Sequence, residues 1–324
     1  MATNPHQVKL FPYTVNEVTP TANTPIPDSI WAMGAPILWS QFIMGYGARV
    51  GVIDTGIDNS HPDLAPRFLF RRDYVNDGAT PSQFHPHGTH VAGTICASGQ
   101  LKGVAPVTSI IDYRVLGLNG IGTYNAIVQA INDSVTDGCR IINMSLGGDF
   151  DSPQLHDAVK NAVANNVLVV VASGNDGPNT VNYPGFYPEV VSVGAVEFDA
   201  STGNITLPSS PWFSSSNSEV DVAADGWQVF STVPGGGYAI FTGTSMATPH
   251  VTGYASLMLD KIRKVTRRYP TEDELYITLK RDTVDILTKG LDTTSGAGFV
   301  TAYPEIPKKN AGQWTLPNMV TGQP

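Results

Sequence analysis

Short apolar runs alternate along the chain with segments of helical period. Runs at 48–54, 109–115, 139–144, 167–172 and 190–196 read as strands, and 87–98, 123–137 and 153–165 carry apolar positions at helical spacing. Strands and helices in turn predict an α/β fold of three layers, a mostly parallel central sheet with helices on both faces. Segment 245–259 differs. Met246, Ala247, Val251, Gly253, Ala255 and Leu257 leave it apolar or small nearly all round, which predicts a helix buried at the centre. Residues 1–27 contain Pro5, Pro12, Pro20, Pro25 and Pro27 and follow neither period, so they predict an extended, detachable arm ahead of a body that begins near Ile30. Segment 198–218, rich in Ser, Thr, Gly and Pro, predicts a surface hairpin or loop. The polar stretch after Pro304 predicts a draped or frayed tail. The expected organisation is an arm at 1–27, one body at 28–304 and a tail at 305–324.

Composition narrows the class. Of 324 residues, 41% are hydrophobic and 15% charged, against about 25% charged in a typical chain, so a globular protein with a large core is expected rather than a disordered segment or a coiled coil. Lys and Arg number 19 against 28 Asp and Glu, a net charge of −9, which disfavours nucleic acid as a partner. The longest apolar run, Val167 to Ala172, is far short of the ~18 residues of a membrane span, and Met1-Ala2-Thr3-Asn4-Pro5 lacks a basic-then-apolar leader. No membrane association and a cytoplasmic location are therefore expected. Cys96 and Cys139 match no zinc or redox spacing and read as buried apolar thiols of a reducing compartment.

In a parallel sheet, chemistry gathers outside the carboxyl ends of the strands. Asp54 closes the run Arg49-Val50-Gly51-Val52-Ile53. His87 opens a helical pattern, Ser145-Leu146-Gly147-Gly148 follows the strand ending at Met144, Ser173-Gly174-Asn175-Asp176-Gly177 follows Ala172, and Ser245 opens the buried helix. Taken singly, each is ordinary: a turn cap, a solvated imidazole, a glycine turn, an N-cap serine. Together, an Asp, a His and a Ser at element ends on one rim, with Asn175 as a spare donor, match the parts for nucleophilic acyl transfer. Two rivals remain. A metal-dependent hydrolase would use His85, His87 and His90, whose spacing is not the His-Glu-x-x-His pair of a zinc protease helix. A catalytically silent binding protein would keep the fold without the chemistry. An α/β-hydrolase needs its base after the nucleophile, where only His250 stands.

The segments resemble the subtilisin-like serine proteases. Val52-Ile53-Asp54-Thr55-Gly56-Ile57-Asp58, His87-Gly88-Thr89-His90-Val91-Ala92-Gly93-Thr94 and Gly243-Thr244-Ser245-Met246-Ala247-Thr248-Pro249-His250 match that family's three signatures in its order Asp, His, Ser. Asn143 to Gly148, Ala172 to Asn175 and Tyr183-Pro184-Gly185 match as well. The resemblance implies a serine endopeptidase in which Asp54 orients His87, His87 acts as base and acid, Ser245 attacks, and Asn175 helps form the oxyanion hole. It implies that substrate lies as an added strand between Gly120-Ile121-Gly122 and Ser145-Leu146-Gly147. The side chain before the cleaved bond would enter a pocket walled by Leu146, Ala172, Ser173, Gly174 and Asn182, with Tyr124 rimming the pocket three residues earlier. No acid or base is expected beside the first pocket, so an uncharged, medium to large residue is expected there.

Departures from the family pattern refine the placement. The stretch Ile95 to Lys102 is short and lacks an Asn-rich run, so the tight calcium site to which Asp63 would contribute is expected to be absent or remodelled, with Glu219 and Asp221 leaving room for a weaker cation site. The chemistry itself requires no cofactor. Residues 198–212 read as an insertion beside the substrate face. Leu10-Phe11-Pro12-Tyr13 resembles the Leu-Ile-Pro-Tyr element that opens intracellular subtilisins and occludes their active site. The arm is accordingly expected to inhibit, and to be clipped by the enzyme itself within a flexible stretch from Glu17 to Pro27. Expected partners are protein or peptide substrates, with a homodimer admissible.

Overall fold

Alternate residues of each central strand feed two different cores. Val50 and Val52 face one cluster while Ile53 faces the other, and Leu168 and Val170 divide from Val169 and Val171 in the same way. Strands buried on both faces need helices on both sides. Pro86–Cys96 and Thr244–Thr266 cover the first face, and Tyr124–Thr136 and Pro153–Ala164 the second. The computed structural model describes residues 7–19, 21, 25–75, 77–207, 213–310 and 313–315. Among these, a 10-stranded sheet runs, edge to edge, through Thr283–Val284, Phe299–Val300, Val220–Asp225, Val191–Asp199, Leu168–Ala172, Ile141–Met144, Arg49–Asp54, Ser109–Arg114 and Phe68–Asp73. Its last strand, Asn204–Thr206, pairs with Val191–Asp199 off this path. All neighbours along the path are parallel except the Thr283–Val284 edge. No helix among the described residues is long and apolar enough to cross a membrane. Cys96 and Cys139 are buried free thiols, each pushed up to about 12 by burial.

The central helix outruns its expected span. Its apolar part is buried through Leu259, and it then continues to Thr266 as a charged extension on which Val265 is 79% exposed. Helix Asp28–Ala32 begins the body close to the expected position. The arm needs a larger correction. It is extended, but residues expected to lack strand structure form two strands, Gln7–Lys9 and Thr14–Thr19, each added to an edge of the body. Segment 198–218 contains the expected hairpin. The tail drapes: Lys308–Asn310 and Gln313–Thr315 form a hairpin whose Trp314 stacks on Trp31 at 5.5 Å, while Lys309 Nζ lies 2.8 Å from Asp28. Residues 1–6, 20 and 22–24 of the arm, 208–212 of the insertion, and 311–312 and 316–324 of the tail lie outside the described residues.

Asp225 ends its strand in a cleft of about 860 Å³ that also holds Asp28, Glu197 and Trp227. Burial pushes its carboxyl up to about 8, with Glu197 and Asp28 adding to the rise, against N–H donors from Trp227 and Phe198. The folded state thus holds a proton that the unfolded chain gives up near pH 4. This group's contribution is full below pH ~4 and falls by about 1.4 kcal/mol per pH unit as pH rises towards 8. Asp225→Asn is expected to melt increasingly above wild type between pH 6 and 8. A melting-temperature difference that stays constant across that range would refute this assignment.

Candidate active site

The parallel order places Asp54, Asn175 and Ser145 at the same end of the sheet. Asp54 closes its strand, while Ser145 and Asn175 follow theirs. His87 sits in the first turn of Pro86–Cys96, and Ser245 in the first turn of Thr244–Thr266. His87 Nδ1 donates to the Asp54 carboxylate at 2.8 and 3.0 Å, with both side chains fully buried. Asp54 Oδ1 also accepts the Thr55 N–H at 2.7 Å. His87 Nε2 is buried and has no hydrogen-bond partner. Gly88 is required here because a Cβ would meet the Gly56 carbonyl oxygen and crowd Asp54. Ser245 Oγ donates to the Ser145 carbonyl at 3.2 Å, and Ser145 Oγ returns a bond to the Ser245 carbonyl at 3.0 Å. Asn143 Nδ2 supports Ser145 Oγ at 3.1 Å, and Thr252 Oγ1 in turn donates to Asn143 Oδ1 at 2.8 Å. The strand after which Ser145 stands is thereby tied to the helix that carries Ser245 in its first turn.

The three clustered histidines do not converge. His90 Nε2 donates to the carbonyls of Val229 and Ala239 at 3.0 and 3.1 Å, its ring stacks on Phe241 at 4.2 Å, and burial holds it down at about 3. His85 Nδ1 accepts the His87 N–H, so its Nε2 carries the proton and donates to the Tyr13 hydroxyl at 3.3 Å. Burial, with His87 nearby, holds His85 at about 4. No group of three potential metal ligands occurs among the described residues, so the metal-hydrolase alternative lacks its ligand cluster. His250, five positions after Ser245, is engaged by Met246 and Ser29 instead.

The arm lies across this site. Lys9 exchanges both main-chain bonds with Gly147 at 3.2 Å, the Leu10 N–H donates to Gly120 at 3.0 Å, and Val8 is in register with Gly122. Val8 is fully buried in the cluster that contains Leu116, Tyr124 and Leu146. Phe11 is 1% exposed, and its ring lies so close over Gly147 that a Cβ there would run into it. The Pro12 carbonyl accepts Asn175 Nδ2 at 2.7 Å. Asn175 is aimed by its other end, where Oδ1 takes the Thr244 N–H at 2.9 Å and hydroxyl at 2.7 Å. The Tyr13 ring meets His87 edge-on at 5.2 Å and lies 5.0 Å from Phe241. Ser173 Oγ donates to the Ser215 carbonyl, Gly174 accepts the Ser215 N–H, and Asn182 Nδ2 donates to Ser215 Oγ. Ser215 and Phe241 carried no motif, so sequence reasoning passed over them.

Asp149 and Asp176 line a cleft with Lys9 and Asn182. Asp63 accepts N–H donors from Gln100 and Leu101 at 2.8 Å each and the Tyr238 hydroxyl at 2.9 Å. Three hydrogen-bond donors aimed at one carboxylate do not suit a calcium ligand, which needs lone pairs facing the ion. Asp221 is neutralised by Lys280 at 3.0 Å and also takes the Tyr276 hydroxyl and the Ser192 N–H, which disfavours the weaker cation site expected at Glu219 and Asp221.

A mostly parallel three-layer fold that brings Asp, His and Ser to one rim in that chain order defines a serine protease of the subtilisin type. The chain belongs to the subtilase family, whose model matches residues 45–298. It is 40% identical over 312 residues to an intracellular serine protease of Paenibacillus polymyxa, covering 93% of each chain. It is 38% identical over 319 residues to the major intracellular serine protease of Bacillus subtilis, covering 94% of this chain and 96% of that one. Subtilisin E of Bacillus subtilis is 41% identical over 251 residues, 73% of this chain and 61% of its own.

Proposed function

We propose that this chain is an intracellular serine endopeptidase that works through Asp54, His87 and Ser245 and is held latent by its own arm. The observation that carries the catalytic reading is the His87 ring, anchored through Nδ1 to Asp54 and left with a buried, unpartnered Nε2. That nitrogen accepts the Ser245 proton as Oγ attacks the scissile carbonyl carbon, and later delivers it to the leaving amine. The attack requires Ser245 Oγ to leave the Ser145 carbonyl, a rotation about one side-chain bond. The carbonyl oxygen becomes an oxyanion received by Asn175 Nδ2 and the Ser245 N–H at the helix N-terminus. Water then cleaves the acyl-enzyme by the same proton path. An intracellular setting is supported by the names of the two relatives that match nearly end to end.

Latency is supported by a one-residue offset. A cleavable peptide must place on Asn175 the carbonyl of the residue whose side chain fills the pocket, but the arm fills the pocket with Phe11 and offers the carbonyl of Pro12. The Phe11–Pro12 bond is thereby displaced from the attack position, and Pro12 lacks the N–H that a substrate could use for pairing. Glu17–Thr19 are held in a strand and Pro25 accepts the Lys102 N–H at 2.8 Å, so both ends of the expected clipping stretch are engaged by the body. In substrates, Phe11 points to a large apolar residue before the cleaved bond, and Lys9 beside Asp149 and Asp176 to a basic residue two positions earlier. Phe11→Asp puts a charge into the apolar seat. It is expected to raise the initial rate on a short peptide at least about tenfold over intact wild type, with mass spectrometry confirming that both N-termini are unclipped. Equal initial rates would make the arm a structural staple rather than an inhibitor.

A further inference from the structure

The outer half of the arm does something the chemistry does not require. Thr14–Thr19 runs antiparallel to Gly237–Thr242, with Thr14 opposite Thr242, Val15 opposite Phe241, Glu17 opposite Ile240, Val18 opposite Ala239 and Thr19 opposite Tyr238. The other edge of Gly237–Thr242 is already taken by Val229–Val233, so the arm covers an edge that would otherwise be open. An open edge presents a row of N–H and C=O groups that templates any extended chain. The pairing is read through the main chain: Val15 is 48% and Val18 68% exposed, so these apolar side chains contribute little to the fit. In the sequence, Pro12 and Pro20 bracket a stretch, 13–19, that contains no proline, as main-chain pairing demands, and one bulge at Asn16 shifts the register between Val15 and Glu17.

Direction matters as much as pairing. The arm passes Gly147 at Lys9, reaches Asn175 at Pro12 and only then meets the Gly237–Thr242 edge, so this edge faces whatever follows the cleaved bond in a substrate. We infer that Tyr238–Thr242 is a binding strip for the leaving-group half of polypeptide substrates, engaging roughly the third to eighth residues after the cleaved bond by strand addition. The arm holds the strip closed by the same pairing. The inference rests on the protease reading above and adds a substrate class: extended chains with a proline-free run beyond the cut, in preference to short peptides.

The test uses full-length Phe11→Asp/Val18→Pro, in which the first change unseats the inner arm and the second places a proline, with its fixed φ and no N–H, inside the outer strand at an exposed position. Peptides sharing one sequence before the cut and carrying two, four or eight residues after it are compared by kcat/KM. The eight-residue form is expected to exceed the two-residue form by about tenfold or more, the yield of two or three net backbone hydrogen bonds. N-methylating alternate outer amides should erase that gain, and scrambling the outer side chains should change it by less than about threefold. Rates that do not vary with length, or a gain that survives N-methylation, overturn the strip. In the same chain carrying Ser245→Ala, the eight-residue peptide should slow amide exchange across Tyr238–Thr242. Unchanged exchange at saturating peptide also overturns it. Hydrolysis that persists in the Ser245→Ala chain would instead overturn the protease reading.

Discussion

Ser245→Ala and His87→Ala are each expected to lower kcat by on the order of 10⁶, and the double variant to lose little more than either one, a magnitude carried over from subtilisin. The lack of additivity has a physical origin. A serine hydroxyl without a base to take its proton is nearly inert, and an imidazole without that hydroxyl has nothing to activate, so removing either part abolishes the same step. Asp54 and His87 are already joined at 2.8 Å, so the pair is assembled before substrate arrives. The measurement belongs in the Phe11→Asp background, where arm occupancy does not mask the rate. Activity of the serine variant within tenfold of its parent would exclude the serine mechanism.

Asn175→Leu is expected to cost about 10²–10³ in kcat with KM nearly unchanged, a range again taken from subtilisin. The side chain is aimed by Thr244 through Oδ1, so Nδ2 is a fixed donor that need not reorganise as charge develops. In the intact chain the same substitution removes the bond to Pro12 and so loosens the arm while crippling the reaction. The two effects oppose each other in a crude rate and separate in the Phe11→Asp background. A change confined to KM would make Asn175 a substrate-binding group instead.

The centre of the molecule was legible because the core and the chemistry both leave local marks. Strands such as Leu168–Ala172 are apolar throughout, since they feed cores on both faces, and Asp54 and Ser245 stand in short motifs at element ends. Peripheral elements left fainter marks. Phe68–Asp73 is an edge strand with most of its residues exposed, so it lacks alternation. Glu272–Arg281 buries few apolar residues, chiefly Leu275 and Leu279, although the Thr271/Glu274 capping box at its start was a readable signal. Thr14–Thr19 is a strand because an existing edge pairs with its backbone, and main-chain pairing writes almost nothing into side-chain pattern. The Asp63 carboxylate illustrates the limit of motif matching. The residue was recognised, but its partners Gln100, Leu101 and Tyr238 come from a shortened loop and a distant hairpin.

The bond between Asn175 Nδ2 and the Pro12 carbonyl bears on how such an enzyme tolerates genetic drift. On the proposed mechanism, the donor that fastens the arm is also the one that receives the developing oxyanion. A random change at Asn175 that unfastens the arm therefore disarms the enzyme in the same stroke. On that reading, escape from latency falls to the arm and to the residues that seat it rather than to Asn175.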